Sequence, residues 1–475
     1  MASERRLALA LVVAVGCGGA ARHASDARDA RDAPAASDDA MLDELEHRTF
    51  EFFWRTADPT TGLVPDRYPT PSFSSIAAVG FGLTAYAIGA ERGYVTRAAA
   101  RDRVRTTLAF FRDAPQGDAA HGVTGDHGFY YHFLDMTTGT RYGDVELSSV
   151  DTALLLAGAL FCREYFAGAD PAEAELRQIA DTLLARADWR WMQARAPAIA
   201  MGWTPEHGFL PYDWVGYNEG MIVILLALGS STFAVEPAAW DAWSARYDTS
   251  FGVAYGQKHL MFPPLFGHQY SHLWIDFRGI RDRAMRAKGL DYFENTRRAT
   301  YAQRAYAIAN PDGWAGYGAD VWGLTASDGP GDMTLTIGDR PRTIRGYAAR
   351  GMASEDDGTI APTAMVSSLP FAPELVVPGI RELRRRWGAQ IYRELGFVDA
   401  FNPSFPATAR AATGSVVPGV GWVDVDYLGI DQGPIIGMIE NHRSGLIWNV
   451  MRGSAYLRRG LARAGFTGGW LEARR

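Results

Sequence analysis

Carboxylates recur in this chain beside aromatic rings and directly ahead of apolar runs. In Gly143-Asp-Val-Glu-Leu-Ser-Ser-Val-Asp-Thr-Ala-Leu-Leu-Leu-Ala157, Glu146 precedes the run and Asp151 lies inside it. An acid in a first helical turn meets the positive end of the helix dipole and faces the cleft onto which the helix opens. Plain capping by Ser148 or Ser149, with a solvated Glu146, is the competing reading. In Tyr212-Asp-Trp-Val-Gly-Tyr-Asn-Glu-Gly220, Glu219 stands behind Trp214 and Tyr217 and ahead of the apolar run Met221–Leu228. A carboxyl group held against aromatic surface loses hydration and its pKa rises, which suits a general acid; a simple dipole partner is the plainer role.

A third group is Gly267-His-Gln-Tyr-Ser-His-Leu-Trp-Ile-Asp276, where His268, His272 and Asp276 recur every four residues. The outer two are two helical turns apart, too far to share one ion. Hydrogen bonding to a sugar by His268, Gln269 and His272, or core packing, is therefore favoured over a metal, and no metal is expected. The fourth group runs from Val423 to Arg443. Its Asp426, Asp431, Gln432 and Glu440, with Asn441, offer partners for sugar hydroxyls, against a reading as caps and turns; Pro434 after Gly433 marks a helix start. Acids among Trp and Tyr fit glycoside hydrolysis, which needs two carboxyl groups and a stacking groove. The chain has no Gly-x-Ser-x-Gly elbow, phosphate loop, His-Glu-x-x-His or Cys-x-x-Cys, so nucleophilic Ser or Cys chemistry, nucleotide binding and a cofactor are unsupported.

Helical periodicity supplies the scaffold. Apolar segments of period 3.6 over 41–57, 74–92, 97–113, 147–166, 171–195, 218–229, 236–246, 269–288, 294–309, 362–369, 374–395, 431–443 and 446–464 alternate with Gly- and aromatic-rich loops. No linker interrupts residues 41–475, which predicts one all-α domain. An (α/α)6 barrel, six inner and six outer helices with long loops and small β-hairpins at the cleft end, fits this count. Apolar residues are 47% and charged residues 21% of the 475, a globular composition. The net charge of −7 gives no support for nucleic-acid binding.

The N-terminus reads as an export signal over 1–17. Arg5 and Arg6 precede the apolar run Leu7–Val15, too short to span a membrane. Ala14-Val15-Gly16-Cys17 resembles a bacterial lipoprotein box with Cys17 as the lipidated residue, although Ala14 stands where Leu is usual; ordinary cleavage near Gly19-Ala20 competes. Residues 18–40, without aromatic or large aliphatic side chains, read as a flexible tether. A periplasmic or outer-membrane lipoprotein is expected, touching membrane only through that anchor.

At these residues the chain resembles the bacterial glucoamylase-like family and, within it, glycoside hydrolase family 144, the endo-β-1,2-glucanases. The likeness runs from about Leu42 to Leu471. It rests on Phe50 to Trp54, Gly128 to Met136, Glu146 to Leu155, Gly216 to Glu219, Phe266 to His272, Asp357 to Pro362, Ala400 to Phe405 and Asp426 to Pro434, in that order. The resemblance implies an (α/α)6 barrel that cuts β-1,2-glucan internally with inversion and releases sophorooligosaccharides. It implies Glu219 as general acid and Glu146 and Asp151 in the acidic group around the base, with Asp431 in reserve. Transglycosylation, hydrolysis of another β-glucan and a surface glycan-binding lipoprotein are the alternatives.

Overall fold

The computed structural model describes residues 37–472, which fall into two units. The first ends at Asp43, and its described part is the beginning of helix α1 (Asp38–Thr56). The export signal expected over 1–17, Cys17 with it, and most of the tether lie outside the described residues. The helix begins at Asp38, inside the span read as tether. Asp38 and Asp39 occupy its first turn, where acids favour helix formation.

The second unit, from Glu44 onward, holds helices α2 (Ile76–Glu91), α3 (Arg97–Asp113), α4 (Ser149–Tyr165), α5 (Pro171–Arg186), α6 (Met221–Gly229), α7 (Ala238–Ser244), α8 (Phe266–Trp274), α9 (Arg283–Lys288), α10 (Tyr292–Ala309), α11 (Pro362–Val366), α12 (Pro373–Ile391), α13 (Gly429–Arg443), α14 (Leu446–Met451) and α15 (Ala455–Arg463). Two kinds of helix separate by burial. α2 buries every residue from Ile76 to Gly89, and α6 buries all of its residues. By contrast, α3 buries only the stripe Ala100, Val104, Thr107, Leu108 and Phe111. A helix apolar all round is enclosed by others, whereas one with a single stripe covers an outside face. The contacts follow that division. Among the described residues α2 packs on α4, α4 on α6, α6 on α8, α11 on α13 and α13 back on α2. The Gln269 side chain donates to Ala364 O at 2.8 Å and so joins α8 to α11. α3 and α5 pack outside α2 and α4, α15 outside α6, and α12 beside α11.

Glycines set the spacing of the enclosed helices. A methyl group at Gly158 of α4 would overlap the carbonyl oxygen of Gly80 of α2, and one at Gly80 would overlap Leu154 O. Alanine is the better helix former by about 1 kcal/mol, but overpacking against backbone costs about 1–3 kcal/mol. Backbone cannot rotate away as a side chain can, so the clash wins. Gly158→Ala is expected to lower the urea midpoint at unchanged m-value, measured by circular dichroism.

Three segments depart from the periodicity. α5 ends at Arg186, because Ala187 turns extended and tucks Trp189 and Met192, both fully buried, back under the chain. The span 269–288 divides into α8 and α9. The span 446–464 divides at Gly453, and Ser454 caps α15. Short strands also form. A five-stranded antiparallel sheet orders Gly125–Asp126, Phe129–Tyr131, Leu147–Ser148, Gly202–Thr204 and Gly208–Phe209, with Leu147 opposite Tyr131 and Trp203. Its central strand runs directly into α4. The loop between α10 and α11 carries a hairpin, Met333–Ile337 with Arg340–Ile344. Arg350, fully buried, secures this loop: it donates to both Asp357 oxygens at 2.8 and 3.0 Å and to the carbonyls of Ser327 and Gly346.

Candidate active site

The first turns of α4, α6 and α13 bring carboxylates together. Glu219 lies two residues before α6. Ser271 Oγ of α8 fixes its backbone, donating to Glu219 O at 3.3 Å while accepting from Ile222 N at 3.1 Å. The residue is partly exposed, yet its Oε2 is closed to solvent and accepts no hydrogen bond from the described residues. Burial pushes the Glu219 carboxyl up to about 7, and the negative charge of Asp151 adds to the rise. Asp151, in the first turn of α4, accepts from Ser148 Oγ and lies 3.6 Å from His132 Nε2. The other ring nitrogen of His132, Nδ1, is 3.0 Å from Glu146 Oε1. Burial opposes the charge on His132, but Asp151 and Glu146 outweigh it and raise the imidazole to about 9. Burial also acts on Glu146, and there the His132 hydrogen bond and charge prevail and hold the carboxyl below its usual range. Asp151, His132 and Glu146 thus form one chain, with Glu146 ionised at its solvent end. Gly202 lets the sheet pass close to Glu146: a Cβ there would stand 2.8 Å from Glu146 Cγ.

A second acidic group gathers at the start of α13. Asp431, in the first turn of α13, is buried with Oδ2 unpartnered. Burial raises its pKa, with Asp328 and Asp66 adding repulsion. Asp399, buried beside Asp431, is also raised, by burial and by the charge of that neighbour, as expected when two carboxyl groups crowd one site. Tyr270 of α8 feels the charge of both Asp431 and Glu219. A cavity of about 280 Å3 opens beside His132, lined among others by Asp66, Arg67, Phe73, His132, Phe133 and Tyr347; Asp66 is its one lining acid among the described residues. One wall is aromatic: Tyr142 packs on Phe73, Phe73 on Phe133 and Phe133 on His132, with ring centroids 4.7, 4.1 and 4.0 Å apart. A larger cleft of about 520 Å3 lies beside Trp240 and Arg463, and its Lys288 and Arg283 pair with Asp248 and Asp241.

The sequence profile of the Glycoamylase family matches residues 211–455, slightly more than half of the chain. The chain belongs to this glucoamylase-like family. A solved Bacteroides uniformis protein with the same glucoamylase description is 32% identical, covers 93% of this chain and 100% of its own, and superposes with a TM-score of 0.80. An endo-β-1,2-glucanase from Chitinophaga pinensis, solved with sophorotriose and glucose, is 29% identical over 92% of this chain and 100% of its own, with a TM-score of 0.79. A curated exo β-1,2-glucooligosaccharide sophorohydrolase of Parabacteroides distasonis is 28% identical over 90% of this chain, which spans 58% of that relative's length.

Within this glucoamylase-like chain, Glu219, Asp151 and Glu146 are linked through charge and His132, and Asp431 belongs to the second acidic group, whereas most residues expected to bind sugar are enclosed by the protein. Trp214 is buried and donates from Nε1 to Ser149 Oγ at 2.8 Å; Tyr217 is buried with its hydroxyl 3.5 Å from Thr296 Oγ1. His268 Nε2 lies 3.1 Å from Phe262 O and His272 Nε2 lies 3.0 Å from Thr296 Oγ1. Gln269 is taken by Ala364 O and Ser368, and Gln432 donates to Phe397 O at 3.0 Å. Glu440, fully buried, pairs with Arg92 at 2.6 Å. Asp426 accepts from Thr70 N at 2.8 Å. At these positions each side chain is enclosed and engaged by the protein itself. Asp276, the third member of the helical His series, is held by Arg278 and Arg452. The residues that do line the cavity, His132, Phe133, Phe73 and Tyr347, sit in strands and loops with no periodic signal. His132 was within reach, because it lies in the quoted segment Gly128 to Met136.

Proposed function

We propose that this chain hydrolyses β-1,2-glucan, with Glu219 as the general acid. The observation that carries the reading is the Glu219 carboxyl itself: desolvated, raised to about 7 and unpartnered at Oε2. Such a group is protonated near neutrality and free to donate to a glycosidic oxygen. The opposing task, activating water, falls to an ionised carboxylate of the Asp151–His132–Glu146 chain, with Asp431 as the alternative. The enclosed ring of helices supports an (α/α)6 barrel, and the activities of the Chitinophaga and Parabacteroides relatives support the β-1,2 linkage and placement in glycoside hydrolase family 144. Endo cleavage with inversion is part of the proposal, and inversion calls for the two carboxyl groups to stand ~6.5–9.5 Å apart.

Incubation with linear β-1,2-glucan, beside β-1,3- and β-1,4-glucans, tests this. Short sophorooligosaccharides from the first polymer alone are expected, and the anomer first released should be inverted. Release from another glucan and none from β-1,2-glucan would overturn the specificity. The Parabacteroides relative favours a second reading, exo release of sophorose. A steep early fall in viscosity supports endo action; sophorose accumulating at nearly constant viscosity supports exo. Products longer than the starting oligosaccharides would mark transglycosylation.

The aromatic wall gives a separate expectation. Phe133 is partly exposed beside His132, placed to stack on a sugar ring, a contact worth about 0.5–1.5 kcal/mol. Phe133→Ala should raise KM about 3- to 10-fold with kcat little changed, in initial-rate assays on sophorooligosaccharides. Export and lipidation at Cys17 belong to the same proposal; Cys17→Ser should abolish metabolic labelling by palmitate.

A further inference from the structure

Behind Asp431 lies a set of acids that the glycosidase reading does not use. Asp328, Asp399 and Asp424 come from three separate loops and are buried to 7%, 1% and 2% exposure. Each offers one carboxylate oxygen, and the three oxygens lie within 4.8 Å of one another.

The hydrogen bonds divide each carboxylate in two. Asp399 Oδ2 accepts from Asp328 N at 2.8 Å, and Asp424 Oδ1 accepts from Asp426 N at 3.1 Å. Their other oxygens, Asp399 Oδ1 and Asp424 Oδ2, are closed to solvent and accept from no N–H or O–H of the described residues; Asp431 Oδ2 beside them is in the same state. Buried polar atoms in folded proteins almost always have a partner, and buried charge needs a counter-charge. Arg67 is the nearby cation. It pairs through Nη1 with Asp328 Oδ2 at 2.5 Å and through Nε with Asp66 Oδ2 at 3.3 Å, and its charge also acts on Asp399. Among the described residues no Lys or Arg pairs with Asp399 or Asp424.

We propose that Asp328, Asp399 and Asp424 bind one divalent cation of the calcium class. The donors are all hard oxygens, without His or Cys, which selects against zinc and copper. Three carboxylates from separate loops suit the six to eight irregular oxygens that calcium takes better than the strict octahedron of magnesium, and carbonyls or water complete the shell. The ion would tie the loop before the hairpin Met333–Ile344 to the segments on either side of Phe401–Val423. It would also stand directly behind Asp431 and fix that side chain toward the cleft. Its role is positioning, and its binding is measured without any glucan, so its failure is separable from failure of the hydrolase proposal.

The test uses the full folded chain, stripped with EDTA and titrated with calcium chloride by calorimetry and thermal melting. One saturable site is expected, with a rise in Tm of about 3–6 °C that EDTA reverses. Magnesium should give a smaller rise at equal concentration. Asp424→Asn should remove both the heat and the Tm rise while keeping the native circular-dichroism spectrum; Asp328→Asn serves if the first variant does not fold. A crystal soaked in calcium chloride gives a check independent of any variant, with density expected among the three carboxylates. The proposal is overturned by the absence of saturable calcium uptake in the parent chain, by uptake that survives both substitutions, or by soaked density placed elsewhere.

Discussion

Glu219→Gln should lower kcat on linear β-1,2-glucan about a thousandfold, with KM within about threefold of the parent. The amide keeps the shape and the neighbours of the acid but has no proton to give, and a positioned general acid contributes about 10²–10⁴ in rate. A fall in kcat and kcat/KM together marks an interaction made only in the transition state. The pH profile supplies the sign. The group acts as its protonated form, and burial raises its pKa from 4.5 to about 7. The active fraction is therefore full below about pH 7 and drops about tenfold per unit above it. The parent should show this alkaline limb in kcat/KM, and the residual activity of the Gln variant should not. A variant within tenfold of the parent, or one that keeps the limb, would remove Glu219 from the acid's role. The Oε2 atom is already unpartnered and shut from solvent, so the substitution breaks no hydrogen bond and should leave Tm nearly unchanged.

Helical periodicity made the enclosed helices legible, because Ile76–Gly89 and Met221–Gly229 are apolar on every face and only burial among other helices accommodates that. The acids at their mouths were legible for the same reason: a Glu or Asp at the edge of such a run stands out. What periodicity could not supply was depth. His268, Gln269, His272 and Glu440 carry the same polar types whether they face a sugar or a carbonyl oxygen, and in the fold they face Phe262 O, Ala364 O, Thr296 and Arg92. Nor could it join distant loops. Asp328, Asp399 and Asp431 are neighbours only because strands and turns without a pattern of their own fold back on one another. Tyr347 reaches the cavity because Arg350, three residues on, is clamped by Asp357.

Asp151→Asn should cost about 10²–10³ in kcat and should also move the acid. Asp151 has two charged relationships, one attractive with His132 and one repulsive with Glu219. The amide removes both. Without the repulsion the Glu219 carboxyl ionises more readily, so the alkaline limb of kcat/KM shifts to lower pH. A residue that merely braced the start of α4 would lower stability and leave that limb in place, so the limb separates the two roles. Stability gives a second sign. The pKa of His132 is raised from 6.5 to about 9 with Asp151 as the largest favourable contribution. That contribution is fully present below about pH 6.5 and is lost as pH rises through about 9. The gap in Tm between parent and Asp151→Asn should therefore be widest at pH 6 and should narrow toward pH 9.5. A gap that stays constant across that range would mean that His132 is not held charged by Asp151. The chain from Asp151 through His132 to Glu146 would then fail as the device that keeps a carboxylate ionised opposite a protonated Glu219.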